Sequence, residues 1–276
     1  MNKKTICIIA VHKLRMNIKT ILSTLFISSS ILVFSQSKAM MEINYETKII
    51  TDSLAKEKVN FFQSVLLLNN NESAYFSREA KSFYNNDVKI PSANSISTSA
   101  GLIPKYPKSV ASFLKIGGKL TAYLPVGKYI FSYDEPKLVW ETLSEIKEIK
   151  GYKCRLAKTT TDTGGEFYAW YTEDISIPDG PFRFKGLSGL ILEVYNRNRT
   201  IEIYATDVKK SEETIEAITY DNLVNTKSKM QFLEARKNYA ENPSMYNGNL
   251  KIVDSNGNDR TKGISERLKK INVFLD

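Results

Sequence analysis

Apolar and polar residues alternate in short stretches along most of the chain after residue 41, and this period of two predicts β-strands. Turn compositions such as Asn69–Asn71 and Asp162–Gly165 separate neighbouring stretches and favour hairpins between them. The predicted strands are 42–50, 61–68, 73–76, 119–124, 128–133, 137–147, 152–158, 166–172, 190–195 and 199–207.

Two segments near the C-terminus instead carry their apolar residues at helical spacing. Residues 226–240 place Phe232 and Tyr239 on one stripe, and residues 260–271 do the same with Ile264 and Leu268. No strand-helix-strand alternation is found. The order of strands followed by helices therefore predicts an α+β fold, with a curved antiparallel β-sheet or open (half) barrel and C-terminal helices.

The segment 78–115 interrupts the strand pattern. It is rich in Ser, Asn and Lys and contains Pro91, Pro104 and Pro107, which favours irregular structure. Strands that belong to one sheet are predicted on both sides of it, so we interpret it as an insertion and not as a linker. We expect a single domain over residues 36–276, with this insertion or the helices over the concave side of the sheet.

The N-terminus has the pattern of a secretory signal peptide, which we predict over residues 1–35. Basic residues precede the uncharged run Ile21–Phe34, which is shorter than the about 20 apolar residues that a membrane span needs. A retained anchor helix is the alternative, and Met16 is an alternative start that would make residues 1–15 a mis-annotated extension. We expect an exported, periplasmic or secreted protein whose mature form has no transmembrane span.

Charge and histidine content narrow the function classes. The full chain has 39 Lys and Arg against 30 Asp and Glu, and the signal segment holds five of the basic residues, so the mature net charge is 34 minus 30, or +4. This excess is too small to indicate a nucleic-acid partner. His12, the only histidine, also lies in the signal segment. A mature chain without imidazole excludes Ser-His-Asp and Cys-His nucleophiles and histidine-containing zinc sites.

The densest local signal is the run 180–194, in which glycines and a proline precede an apolar strand. Gly186 and Gly189 predict a tight bend that needs positive φ or a close backbone approach. Together with Gly180 and Pro181 they form the predicted structural turn of this motif.

The segment Gly186–Ile191 resembles the motif for which the bacterial GLPGLI family is named. The likeness extends upstream to Gly151–Cys154 and Ala169–Thr172. The sequence departs from the family pattern at Gly165, Ser176 and Ser188, where that family often has arginine, proline and proline. The resemblance implies an exported protein of unassigned biochemical activity.

Large aromatic residues crowd the strand before the motif and the motif itself, and they are the candidate ligand-binding residues. These residues are Tyr168, Trp170, Tyr171, Phe182 and Phe184. Aromatic rings with a polar edge suit a binding groove, and the alternative is that they form the core of a sheet covered on both faces. We expect a binding or structural protein of the cell envelope, whose partner is an apolar or peptide-like ligand or an envelope protein.

The alternative function is a carboxylate-based hydrolase that acts on envelope polymers. Two carboxyl groups suffice for glycoside hydrolysis, and the candidates near the motif are Glu173, Asp174, Asp179 and Glu193. Solvated turn residues are the other interpretation of this cluster. We assign no catalytic residue from the sequence and favour a protein that is not an enzyme.

The sequence offers little evidence for a reactive cysteine or a metal site. Cys154 is the only cysteine after residue 35, and alternation puts it on the strand face opposite Lys153 and Arg155, which favours a buried thiol over a reactive one. Intermolecular pairing is the alternative. The segment 254–258 approaches a calcium loop but lacks the later glutamate. No metal and no cofactor is predicted.

Overall fold

A computed structural model describes residues 37–85, 106–247 and 262–276. The strands are β1 Met41–Ile49, β2 Asn60–Leu68, β3 Glu72–Phe76, β4 Ser112–Ile116, β5 Lys119–Val126, β6 Tyr129–Asp134, β7 Glu141–Ile149, β8 Tyr152–Thr160, β9 Glu166–Thr172, β10 Leu190–Asn196, β11 Ile201–Lys210 and β12 Leu223–Asn225. The helices are α1 Arg78–Asn85, α2 Lys229–Glu241, α3 Pro243–Asn247 and α4 Lys262–Lys270. The predicted signal peptide and the segment 254–258 lie outside the described residues.

All described strands belong to one open sheet in the order β12-β6-β5-β4-β3-β2-β1-β11-β10-β9-β8-β7. Neighbours are antiparallel except for β12, which runs parallel to β6. Two meanders, β1 to β6 and β7 to β11, are joined by pairing of β1 with β11, in which Met41 lies opposite Lys210. The predicted α+β fold with a large antiparallel sheet and mainly C-terminal helices is confirmed.

The sheet curls strongly, as aromatic contacts between distant strands show. Phe113 of β4 and Phe167 of β9 are six strand spacings apart, which is about 29 Å in a flat sheet. Phe182 and Phe184 connect them through centroid separations of 4.3 Å, 6.5 Å and 4.8 Å. Only a curled sheet brings β4 and β9 that close, so these rings mark its concave side.

Two apolar cores lie on opposite faces of the sheet. The larger one lies on the concave side, where the segment between β9 and β10 and helix α2 cover the strands. Phe232 of α2 stacks on Tyr133 of β6 with centroids 5.3 Å apart. The smaller core includes Val65, Phe76 and Ala80 and lies under helix α1.

The segment 78–115 differs from the irregular structure that we expected. Within it, residues 78–85 form helix α1 and residues 112–116 form strand β4, while residues 86–105 lie outside the described ranges. Ala80 is fully buried against the convex face, so this helix covers the side opposite to the one we expected for the insertion. Packing of Ala80 stabilises a helix of eight residues, which is too short to be stable by itself.

Candidate functional site

The motif segment 173–189 connects β9 to β10 and crosses the concave side of the sheet. Gly186 has φ +99°, a conformation that glycine adopts without steric cost. A Cβ atom on Gly189 would lie 1.9 Å from the carbonyl oxygen of Thr172, so only glycine fits this approach of two backbones. Gly180 is similarly close, with an added Cβ 2.5 Å from the carbonyl oxygen of Phe184.

Three of the candidate ligand-binding aromatic residues lie inside the concave core. Phe184 is fully buried, and Phe182 and Tyr171 are 7% and 3% exposed. Phe182 packs on Phe113, and Phe184 packs on Phe167. These side chains fill the space that a ligand inside the curled sheet would occupy, which agrees with the core interpretation of the aromatic cluster. Their role in ligand binding stays a prediction.

The other two candidates lie on the opposite face of β9, because successive side chains of a strand alternate. Tyr168 stacks on Tyr195 with centroids 5.4 Å apart. Trp170 lies under the ammonium group of Lys147, whose Nζ is 4.5 Å from the ring centroid. The structure therefore divides the predicted aromatic site between two faces of the sheet instead of bringing it together.

Two of the four candidate carboxylates are held in ion pairs. Asp179 is fully buried, with Nζ of Lys185 2.5 Å from Oδ1 and Nζ of Lys115 2.7 Å from Oδ2. Burial alone would raise the pKa of Asp179, but the two lysines outweigh it and the pKa is lowered below its ordinary value of 3.8. Glu193 pairs with Lys147 at 2.5 Å.

The other two carboxylates accept hydrogen bonds at the exposed end of β9. Glu173 accepts from the hydroxyl of Ser188 at 2.7 Å, and Asp174 accepts from the backbone N–H of Lys153 at 3.3 Å. Both line a depression of about 130 Å³ beside Cys154, which is smaller than the ligand pockets of proteins. Each of the four carboxylates thus has a partner of its own, and only Glu173 and Asp174 share a depression among the described residues. A catalytic role for these carboxylates stays a hypothesis.

Cys154 is a free thiol that is 1% exposed. Burial raises its pKa to about 11, and the nearby ammonium group of Lys147 opposes this only in part. Such a thiol is protonated at neutral pH and poorly reactive. In the described ranges, no group of three or more His, Cys, Asp or Glu side chains is arranged to hold a metal ion.

An open groove lies where the sequence analysis did not place a site. A groove of about 740 Å³ runs between the β4–β5 turn, the segment 134–138 after β6, and the motif segment. We call it the cationic groove. It is lined by Lys115, Gly117, Gly118, Lys119, Leu120, Asp134, Glu135, Pro136, Lys137, Leu138, Pro178, Arg183, Lys185 and Gly186.

A charge network, buried except for Asp162, forms the base of the cationic groove. Nη2 of Arg183 lies 2.7 Å from Oε1 of Glu135 and 2.6 Å from Oδ1 of Asp162. Nζ of Lys229 lies 3.0 Å from each of the same two oxygens. Arg183 is 2% exposed, and its Nε and Nη1 atoms have no hydrogen-bond partner in the described structure.

One feature of the sequence indicates part of this groove. In the run Phe182–Lys185, aromatic and cationic residues alternate, so that one set is available to the core and the other to polar partners. The structure uses both sets, with the phenyl rings in the concave core and Arg183 and Lys185 at the wall of the groove. The remaining wall comes from β4, β5 and the segment after β6, whose proximity the local sequence does not indicate.

Comparison with known proteins gives one match to a family model. Residues 120–234 match the model described as "N-glycanase peptide, N-terminal domain". A search of curated proteins finds no match. The resemblance to the GLPGLI family stays a prediction, while the matched range includes the motif segment on which that resemblance depends.

Solved structures show partial similarity. The protein PNGF-II in its P21 crystal form is 18% identical, with a TM-score of 0.46 and coverage of 71% of this chain and 33% of that chain. Its C2 crystal form is 18% identical, with a TM-score of 0.45 and coverage of 72% of this chain and 34% of that chain. An uncharacterized conserved protein from Thermus thermophilus is 6% identical, with a TM-score of 0.35 and coverage of 68% and 91%. This chain spans about a third of PNGF-II, and over residues 120–234 it is similar to the N-terminal domain of N-glycanase.

Proposed function

We propose that this protein is an exported accessory module that binds a peptide-like ligand in the cationic groove and does not itself catalyse a reaction. The name of the matched family model refers to an N-terminal domain of N-glycanase, which suggests N-glycosylated polypeptide as the ligand. The matched residues 120–234 include ten of the fourteen residues that line the groove. The observation that carries the proposal is this open groove, built largely from the matched region.

The size and walls of the groove support a ligand of this kind. Ligand sites in proteins measure about 300–1,000 Å³, and the groove of about 740 Å³ lies within this range. Leu120, Pro136, Leu138 and Pro178 supply an apolar wall, and backbone and lysine groups supply polar contacts. Among the described residues, Phe182 and Phe184 fill the concave interior and leave less space there than in the groove.

The states of the carboxylates favour binding over hydrolysis. A two-carboxylate mechanism needs an acid and a second carboxylate that face one substrate bond. Asp179 is instead enclosed between two lysines and Glu193 is paired with Lys147, so both are committed to ion pairs. Glu173 and Asp174 lie beside a depression too small for a polymer.

Export and localisation complete the proposal. Within the described ranges, no helix is long and apolar enough to cross a membrane. The N-terminal pattern of basic residues followed by Ile21–Phe34 supports secretion or release into the periplasm. N-terminal sequencing of the protein from culture fractions tests this part, and a mature form that still carries His12 would contradict it.

The binding proposal is tested with a fluorescent N-glycosylated peptide and its deglycosylated form, titrated with the purified protein and followed by anisotropy. Pro136→Trp places a large ring in the groove and is expected to weaken binding about tenfold or more, since it occludes the site. Val139→Trp is the matched control, because Val139 is 84% exposed and does not line the groove.

Three outcomes decide the proposal. Weaker binding by the Pro136 variant alone supports it, and absence of binding by the wild-type protein refutes it. Release of glycan from the peptide by the protein alone would show a hydrolase and would overturn the accessory role.

A further inference from the structure

The charges around the cationic groove are unbalanced. Five cationic side chains and two carboxylates line the groove. Asp179, which lies behind the wall, is a third carboxylate, so the net charge is +2. Asp162 and Lys229, which complete the network at the base, cancel each other. A cleft with one excess sign and low-dielectric walls focuses its field, so the groove attracts anions.

Arg183 adds donors that the protein itself does not satisfy. Its two carboxylate partners, Glu135 and Asp162, are both bound by Nη2, and both also bind Lys229. Nε and Nη1 remain without acceptors among the described residues, although the side chain is 2% exposed. Both atoms are enclosed, so Arg183 acts on the groove through its positive charge.

The exposed mouth of the groove carries a further cation. Lys137 is exposed and has no carboxylate within ion-pair distance among the described residues. Lys119 is also exposed, and its pair with Asp134 at 3.1 Å contributes little because both side chains are about two-thirds exposed. Cations therefore extend from the base to the mouth, beside the apolar wall of Leu120 and Leu138.

We propose that the cationic groove selects peptide-like ligands that carry carboxylates next to apolar residues. This inference depends on the proposed binding function and deepens it by naming the ligand class. Lys137 attracts and holds the carboxylate at the mouth, and Arg183 and Lys185 add positive charge below it. The apolar wall binds the neighbouring side chains of the ligand.

The test uses fluorescein-labelled synthetic peptides of one sequence with three variations. The first contains Glu beside Leu residues, the second has Gln in place of each Glu, and the third keeps Glu but has an amidated C-terminus. The Glu peptide is expected to bind about fivefold to tenfold more tightly than the Gln peptide, with a preference that falls as salt rises. The amidated peptide shows whether the carboxylate that matters belongs to side chains or to the chain terminus.

Charge reversal at the groove provides the matched comparison. Lys137→Glu is expected to abolish the preference for Glu over Gln, since it places a carboxylate at the mouth. Lys56→Glu makes the same change of net charge at an exposed loop residue outside the groove and is expected to keep the preference. Both residues are exposed, so we expect both variants to fold. Circular dichroism of each variant checks this.

The outcomes separate this inference from the function on which it depends. Loss of the preference in the Lys137 variant alone supports the inference. Equal binding of Glu and Gln peptides overturns the carboxylate selection and leaves the binding function intact. Absence of binding by every peptide, including the glycosylated one, overturns both.

Discussion

Replacement of Gly189 by alanine tests the most constrained contact of the structure. Gly189 precedes β10, and an added Cβ would lie 1.9 Å from the carbonyl oxygen and 2.7 Å from the carbonyl carbon of Thr172. It would also lie 3.1 Å from Cα of Glu173. These are backbone atoms of the neighbouring strand and the residue after it, so no change of rotamer relieves the clash and β10 has to move away from β9.

The expected cost follows from the sheet contacts that such a shift disturbs. Overpacking of a closed site costs about 1–3 kcal/mol, and a clash with backbone falls at the upper end of this range. We therefore expect Gly189→Ala to lower the free energy of unfolding by about 3 kcal/mol. Gly186→Ala meets open space at φ +99°, so only the backbone conformation is strained, and we expect a loss of about 1–2 kcal/mol.

Gly263→Ala is the control, because we expect it to raise the free energy of unfolding. Gly263 lies in helix α4 with no atom within 4 Å of an added Cβ. Alanine stabilises a helix interior by about 0.5–1 kcal/mol relative to glycine, and we expect about 0.5 kcal/mol here because Gly263 lies in the first turn of α4. Urea unfolding followed by circular dichroism measures all three variants against the wild type. If Gly189→Ala changed the free energy of unfolding by less than about 0.5 kcal/mol, the close approach of β9 and the motif would be refuted.

Three further predictions concern buried groups. Cys154, with its pKa raised to about 11 and 1% exposure, is expected not to react with a thiol reagent in the native protein and to react fully in denaturant, and native labelling would contradict its burial. Asp179→Asn is expected to destabilise the protein at neutral pH. Because the folded pKa of Asp179 is lowered below 3.8, this difference shrinks as pH falls below that value, and a difference that stays constant down to about pH 2 would contradict the ion pairs. Phe184→Ala is expected to cost about 3–5 kcal/mol in urea unfolding because its ring is fully buried, and a loss below about 1 kcal/mol would contradict its place in the core.

Local patterns determined most of the secondary structure. Alternation in residues 166–172 predicts β9 with its observed bounds, because one strand face meets the core and the other does not. Helical spacing similarly places α2 within a few residues of its observed range. Helix α1 and strand β12 were missed, because each depends on neighbours that are distant in sequence. Strand β4 was missed although it forms a local hairpin with β5, in which Gly117 and Gly118 make the turn.

The sequence also indicated that Gly186 and Gly189 are constrained, and the structure shows a different constraint at each. One has positive φ and the other lies against the backbone of β9. Glycine suits both a positive φ and a close backbone contact, because it has no side chain. Which of them applies depends on where the next strand lies, and this is not encoded in the residues beside the glycine.

Tertiary structure alone decided the candidate site. Pairing of β1 with β11 joins the two meanders, and the curl of the sheet brings β4 to the motif segment, where Lys115 reaches Asp179. The cationic groove results from this meeting of three segments. Periodicity in a sequence reports which side of an element is buried, whereas the partner that buries it is chosen by packing of the whole chain. For that reason the sequence drew attention to the aromatic residues of the motif, while the groove beside them became visible only in the folded protein.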